Sequence, residues 1–305
     1  MIKRELMQKN GIIAMKLAQE FLSKECGDRI DTVSNYSEKF DIARGTVQNA
    51  IKFLQDEKAI FLEARGHMGT FIVKINYEKL LQVSGIGSIV GVMPLPYSKL
   101  YEGIATGLYN TMEESKIPFN LAYMRGSANR IKALSKGRYD FALISKLAAE
   151  NLMETENLEV IMDFGEFSYV SEHAIIFHDF SRKSIENGMK IGIDNSSIDH
   201  KILTQKQCSG KRVIMVELPY NQIISKVMNG EIDAAIWNID EIIDRKLNLK
   251  YYPMSSKYDN KDTNAVVVVE SSKSDIKAIL KRYLKKSKIL DIQKKIVKGA
   301  IVPRY

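Results

Sequence analysis

Apolar residues recur at helical spacing twice near the start of the chain. Ile13, Leu17, Phe21 and Leu22 share one face across residues 11–25, a helix predicted to end at Cys26-Gly27-Asp28. Val47, Ala50, Ile51 and Leu54 share another across residues 43–54. Between these runs, residues 33–40 are short and amphipathic, and Asp41-Ile42 has the length of a helix-turn-helix corner. Two strand-like runs follow, 60–65 and 70–74, joined by the glycine-bounded hairpin Gly66-His67-Met68-Gly69. From Ser88 the rhythm changes to short β-rich runs at 89–95, 119–124, 140–145, 159–164, 173–177, 190–193, 213–218, 233–237 and 265–269. Helical segments such as 97–116 and 129–136 fall between several of them, which predicts α/β layering.

The polar positions of residues 43–54 carry the first candidate chemistry. Arg44, Gln48 and Lys52 recur every fourth residue, away from the apolar face. Such a helix suits a DNA major groove, where Arg grips guanine, Gln grips adenine and Lys neutralises phosphate. The hairpin, with Arg65 and His67 near its tip, suits a phosphate backbone or a minor groove. A solvated basic helix alone would look the same; helix, turn, helix and glycine-tipped hairpin in this order point to a winged helix. Ala43-Arg44-Gly45-Thr46-Val47 and Arg65-Gly66-His67-Met68-Gly69-Thr70-Phe71 resemble the winged helix of GntR-type regulators. The resemblance implies that Arg44 and Gln48 face bases, Thr46 faces phosphate, and His67 and Gly69 sit at the wing tip. The sequence departs from that family at Asp31-Thr32-Val33-Ser34, where a Pro-Ser-Glu-type helix start is usual.

The second part contains an internal repeat. Residues 131–144 lay over residues 224–237, each reading as amphipathic helix, glycine stop, Asp and buried strand. Two such lobes predict a clamshell that looks like the type 2 periplasmic-binding-protein fold. Its order behind a winged helix is similar to the YhfZ family of regulators. The expected division is a DNA-binding domain at 1–75, a linker at 76–87 and a ligand-sensing domain at 88–305. Ligands of open α/β sheets sit beyond the carboxyl ends of strands, at helix N-termini. The corresponding positions are Ser98, Arg125 and Ser127 in one lobe and Asn195, Ser196, Ser197, Tyr220 and Trp237 in the other. Serine and asparagine at such places also cap helices. Arg125 with Ser127 and Ser196 suggests a clamp for a small anion.

Charge adds little to the DNA reading. Of the net +8, residues 1–80 hold 13 basic against 11 acidic, residues 81–272 hold 21 against 24, and residues 273–305 hold 11 against 2. The excess belongs to the C-terminal helices, which read as solvated. Cys26 and Cys208 lack disulfide or zinc spacing, and His67, His173, His178 and His200 lack metal-ligand spacing. Asp199-His200 resembles an acid/base pair, but adjacent helical residues point apart, so a surface pair is expected. Gly85-Ile86-Gly87-Ser88-Ile89-Val90-Gly91 precedes its strand instead of following it, which removes a dinucleotide loop. With no signal peptide and no apolar run long enough to span a membrane, a cytoplasmic protein is expected, with no metal or cofactor. The expected partners are double-stranded operator DNA, an unidentified small-molecule effector and a second copy of the chain. The alternative is an enzyme on the same clamshell with an accessory winged helix; a bare oligomerisation module is a third reading.

Overall fold

The computed structural model describes residues 9–115, 117–254 and 260–305. The chain divides into two compact units. The first comprises residues 9–89, Ile117, Pro118 and residues 273–282; the second holds the remainder.

In the first unit, α1 (Lys9–Phe21) buries Ile13, Leu17 and Phe21 and packs against α3 (Arg44–Asp56). Val47, Ala50, Ile51 and Leu54 form the buried face of α3, as the spacing predicts. Between them α2 (Val33–Phe40) begins at Thr32, whose hydroxyl accepts the Asn35 N–H at 3.1 Å. This cap supplies what the unusual Asp31-Thr32-Val33-Ser34 start left in question. Tyr36 is buried edge-on to Phe21 and stacked on Phe40. Strands β1 (Ile60–Ala64) and β2 (Thr70–Ile75) pair antiparallel around a 3₁₀ turn at Gly66–Met68. The wing has a further edge that hydropathy did not reveal: Ile30 N–H donates to Thr70 O at 2.9 Å, and Ile72 N–H to Asp28 O at 2.9 Å. Within the segment expected as a linker, α4 (Tyr77–Ser84) lies against α1, tied by Gln19 Nε2 to Ser84 O at 2.9 Å and Tyr77 OH to Lys24 O at 2.8 Å.

The second unit has two five-stranded sheets. Lobe one runs β4-β3-β5-β12-β6, from β3 (Ile89–Met93), β4 (Phe119–Tyr123), β5 (Phe141–Ser145), β6 (Leu158–Asp163) and β12 (Ala265–Glu270). Its helices are α5 (Lys99–Glu114), α6 (Ser127–Ser135) and α7 (Lys146–Met153). Lobe two runs β11-β7-β10-β8-β9, from β7 (His173–Phe177), β8 (Lys190–Ile193), β9 (Ile214–Glu217), β10 (Ala234–Asn238) and β11 (Tyr251–Pro253). Its helices are α8 (Ile198–Gln207), α9 (Tyr220–Met228) and α10 (Ile239–Asp244). Beside β5 lies β12, whose Val266–Val269 stretch is fully buried, the continuous apolar run of a strand covered on both faces.

The repeat has a structural reason. Asp140 N–H donates to Val90 O while its carboxylate accepts the Val90 N–H, at 2.7 and 2.8 Å. Asp233 makes the same reciprocal pair with Lys190, at 2.8 and 2.6 Å. In each lobe an aspartate at the entry to one strand clamps the first residues of its parallel neighbour. The chain crosses between lobes twice, and the crossings bond to each other through Tyr169 N–H to Thr263 O (2.8 Å) and Ala265 N–H to Ser168 Oγ (3.0 Å). After β12 come α11 (Ser274–Tyr283), which clusters with the first unit, and α12 (Lys286–Val297), which lies along α5. Gln293 of α12 donates to Leu100 O and to Ser168 O at 2.9 and 2.8 Å, fixing the helix pair to a crossing segment.

Candidate functional site

Arg44, Gln48 and Lys52 stand exposed on α3, and among the described residues none of their side chains makes a hydrogen bond or ion pair. Thr46 is half-buried in the first turn of that helix. His67 is exposed in the wing turn. Arg65 is not open in the same way: Glu63 pairs with it at 2.7 Å and its guanidinium lies over Phe71, 4.8 Å from the ring centroid. Gly69 has φ +99°, and a Cβ there would stand 2.6 Å from Arg29 Nε. Arg29 is thus an exposed cation on the wing that pattern reading missed, because it precedes the helix-turn-helix.

In the second unit the lobes touch directly. Ala128 N–H donates to Ser196 O at 3.1 Å, and Ile198 N–H donates to Ser127 Oγ at 3.0 Å. Gly126, at φ +77°, permits this approach, since a Cβ would meet Ser196 O at 2.6 Å. Asp194 organises the rim, accepting from Ser196 N–H and Oγ and from Tyr220 N–H, with Arg125 Nε 3.7 Å away. The expected anion clamp is therefore not arranged for an anion. Arg125 faces a carboxylate, and the Ser127 and Ser196 hydroxyls already serve protein groups.

Behind the rim lies a cavity of about 60 Å³. Of the residues proposed for the ligand, Arg125, Ser127, Ser197 and Tyr220 line it. Ser98, Asn195, Ser196 and Trp237 do not. Ser98 is buried as the cap of α5, accepting the Tyr101 N–H at 3.5 Å. Asn195 is exposed. Trp237 is buried beneath Tyr220, the rings stacked 3.9 Å apart, so it supports the wall without reaching the cavity.

The groups that sequence reading missed are the charged ones. Arg130 is 3% exposed; its Nη1 donates to Met124 O at 2.8 Å, its Nη2 to Tyr169 OH at 3.1 Å, and its buried Nε has no partner among the described residues. Asp199 and His200, expected at the surface, are both buried and line the cavity. Asp199 accepts from Ser145 Oγ at 2.6 Å, and burial pushes its carboxyl up to about 6. His200 accepts the Asp194 N–H on Nδ1 at 3.1 Å and turns Nε2 to Ile236 O at 3.0 Å. Burial lowers it to about 4, so the ring is neutral and both nitrogens are engaged. His173 is raised: burial works against its charge, but Asp262 at 2.7 Å outweighs it.

A helix-turn-helix and wing in one unit, and two α/β lobes closing on a polar cavity in the other, define a helix-turn-helix protein with a periplasmic-binding-protein-like second domain. Residues 76–305 match the YhfZ C-terminal domain and residues 25–72 a helix-turn-helix domain. The chain belongs to the YhfZ family. It is 32% identical to the uncharacterized protein YhfZ of Escherichia coli (strain K12) over the whole of both chains. The crystal structure of YhfZ from Shigella flexneri is 33% identical, with a TM-score of 0.61 over 74% of this chain and 96% of that one. An amino acid ABC transporter substrate-binding protein from Streptococcus pneumoniae shares the fold at 15% identity, with a TM-score of 0.52 over 70% of this chain and 94% of that one. Among the described residues no helix is long and apolar enough to cross a membrane.

Proposed function

We propose that this protein is a DNA-binding regulator whose two-lobed domain takes a small molecule between its lobes and alters operator binding. The observation that carries the reading is α3. One face buries four apolar residues, while the side chains of Arg44, Gln48 and Lys52 stand exposed on the other, without partners among the described residues. Thr46, His67 and Gly69 would complete a GntR-type contact, with Arg65 a weaker contributor because Glu63 already matches its charge. One helix of this kind reads only a few base pairs, so two copies on a near-palindromic site are expected.

The lobes supply the response. A ligand that touches both lobes favours the closed arrangement over an open one, and that difference is all it can use to shift an equilibrium. Coupling of this kind is worth about 1–3 kcal/mol.

The test uses a duplex selected by the full-length protein from a random-sequence pool. Arg44→Ala is expected to cost roughly 1–3 kcal/mol and relax preference at one base pair. Lys52→Ala is expected to weaken all sequences alike and flatten the salt dependence. Light scattering of the complex is expected to give two chains per duplex. Unchanged affinity and preference in Arg44→Ala would remove α3 from the major groove.

A further inference from the structure

We propose that the interlobe cavity takes a small zwitterion, with Arg130 receiving its carboxylate and Asp199 its ammonium group. The inference rests on the cavity being the effector site and adds the chemistry of what fills it.

Two opposite charges line this cavity without an ion-pair contact among the described residues, although Arg130 and His173 lie near enough to favour the Asp199 carboxylate. Arg130 and Asp199 are 3% and 6% exposed, and among the described residues neither makes an ion pair, with each other or with any other group. Burying a charge unpaired is costly, and a structure that keeps two such charges on one cavity calls for a partner to each. Arg130 in addition has a buried Nε with nothing to donate to among the described residues. A carboxylate is the acceptor that matches a guanidinium edge.

The remaining charged lining groups are accounted for. His173 pairs with Asp262 at 2.7 Å, Arg125 faces Asp194 at 3.7 Å, and His200 is neutral with both nitrogens engaged. A plain anion would satisfy Arg130 and repel Asp199; a plain amine would do the reverse. A ligand with both charges satisfies both. Tyr97, Tyr101, Tyr169 and Tyr220 complete the walls.

Size narrows the class. The cavity measures about 60 Å³, and a water-sized group needs about 10–15 Å³ of such space, so roughly four to six heavy atoms fit with the lobes as they stand. That is the scale of glycine, alanine or β-alanine.

Isothermal titration calorimetry of the full-length protein at neutral pH tests this with glycine, L-alanine, D-alanine and β-alanine. Propionate serves as the analogue without the amine and ethylamine as the analogue without the carboxylate. At least one zwitterion is expected to bind, with the matched analogues about 10–100-fold weaker, because each leaves one buried charge unmatched. Asp199→Asn is expected to narrow the gap between alanine and propionate, whereas a residue that merely supports the fold would weaken both alike. The comparison of analogues on the unaltered protein stands even if a variant fails to fold. Propionate binding as tightly as alanine would overturn the zwitterion. So would the absence of heat from every zwitterion at about 10 mM. A zwitterion that binds without changing DNA affinity would leave this inference standing and sink the regulator reading instead.

Discussion

Burial holds the Asp199 carboxyl at about 6 in the folded chain, against an ordinary value of 3.8. Between those values the folded chain keeps a proton that the unfolded chain releases, so this group's contribution to stability declines as pH rises through the window. Above about pH 6 the buried carboxylate weighs against folding by about 3 kcal/mol. His200, lowered to about 4, acts in the opposite sense from its ordinary value downward, because unfolding lets it gain a proton. The wild-type profile mixes the two, along with the His173–Asp262 pair, so the difference between variant and wild type is the informative quantity. Asp199→Asn keeps an acceptor for Ser145 and is expected to stabilise the protein by about 1–3 kcal/mol at pH 7.5, a gain that fades toward pH 4. Urea unfolding at several pH values measures it; a gain unchanged at pH 4 would assign the effect to packing instead. Neither Asp199 nor Arg130 was legible as a site residue. Arg130 owes its place partly to Tyr169, 39 residues later, and Asp199 to Ser145, 54 residues earlier, and local periodicity contains no term for such partners.

At the level of elements the sequence was far more readable. All nine strand-like runs of the second domain are strands, because β-branched and aromatic residues bounded by turns encode them locally. The additional strand, β11, is three residues at a sheet edge, too short to show a pattern. Helix–helix spacing was not legible, and it depends on glycines. A Cβ on Gly103 of α5 would stand 2.7 Å from the Gln293 Cα, whereas one on Gly45 of α3 would meet nothing within 4 Å. Replacing glycine by alanine inside a helix ordinarily gains about 0.5–1 kcal/mol, but forcing a packed interface apart costs about 1–3 kcal/mol. Gly103→Ala is therefore expected to melt lower than wild type and Gly45→Ala slightly higher. Scanning calorimetry checks both, and a stabilised Gly103→Ala protein would show that α12 yields easily.

Across the molecule, the order of domains could be read from the chain, but the first unit's dependence on the chain's far end could not. Helix α11 follows the last strand of lobe one yet clusters with the first unit, where Arg282 lies 3.8 Å from the centroid of the Tyr77 ring and 3.6 Å from the Glu25 carboxylate. Periodicity marks residues 273–305 as basic helices and is silent about what a given arginine covers. A stacked guanidinium is worth roughly 0.5–2 kcal/mol, so Arg282→Ala is expected to speed hydrogen exchange at the amides of Leu80 and Leu81 in α4 while leaving those of β10 unchanged. Equal exchange at both places would show that α11 adds nothing to the first unit. The same discontinuity bears on synthesis. Chains emerge N-terminus first and domains fold as they emerge, yet here the helix-turn-helix leaves the ribosome long before the helix that completes its unit. A message cut short would then yield an N-terminal piece lacking part of its own packing, not a complete first unit.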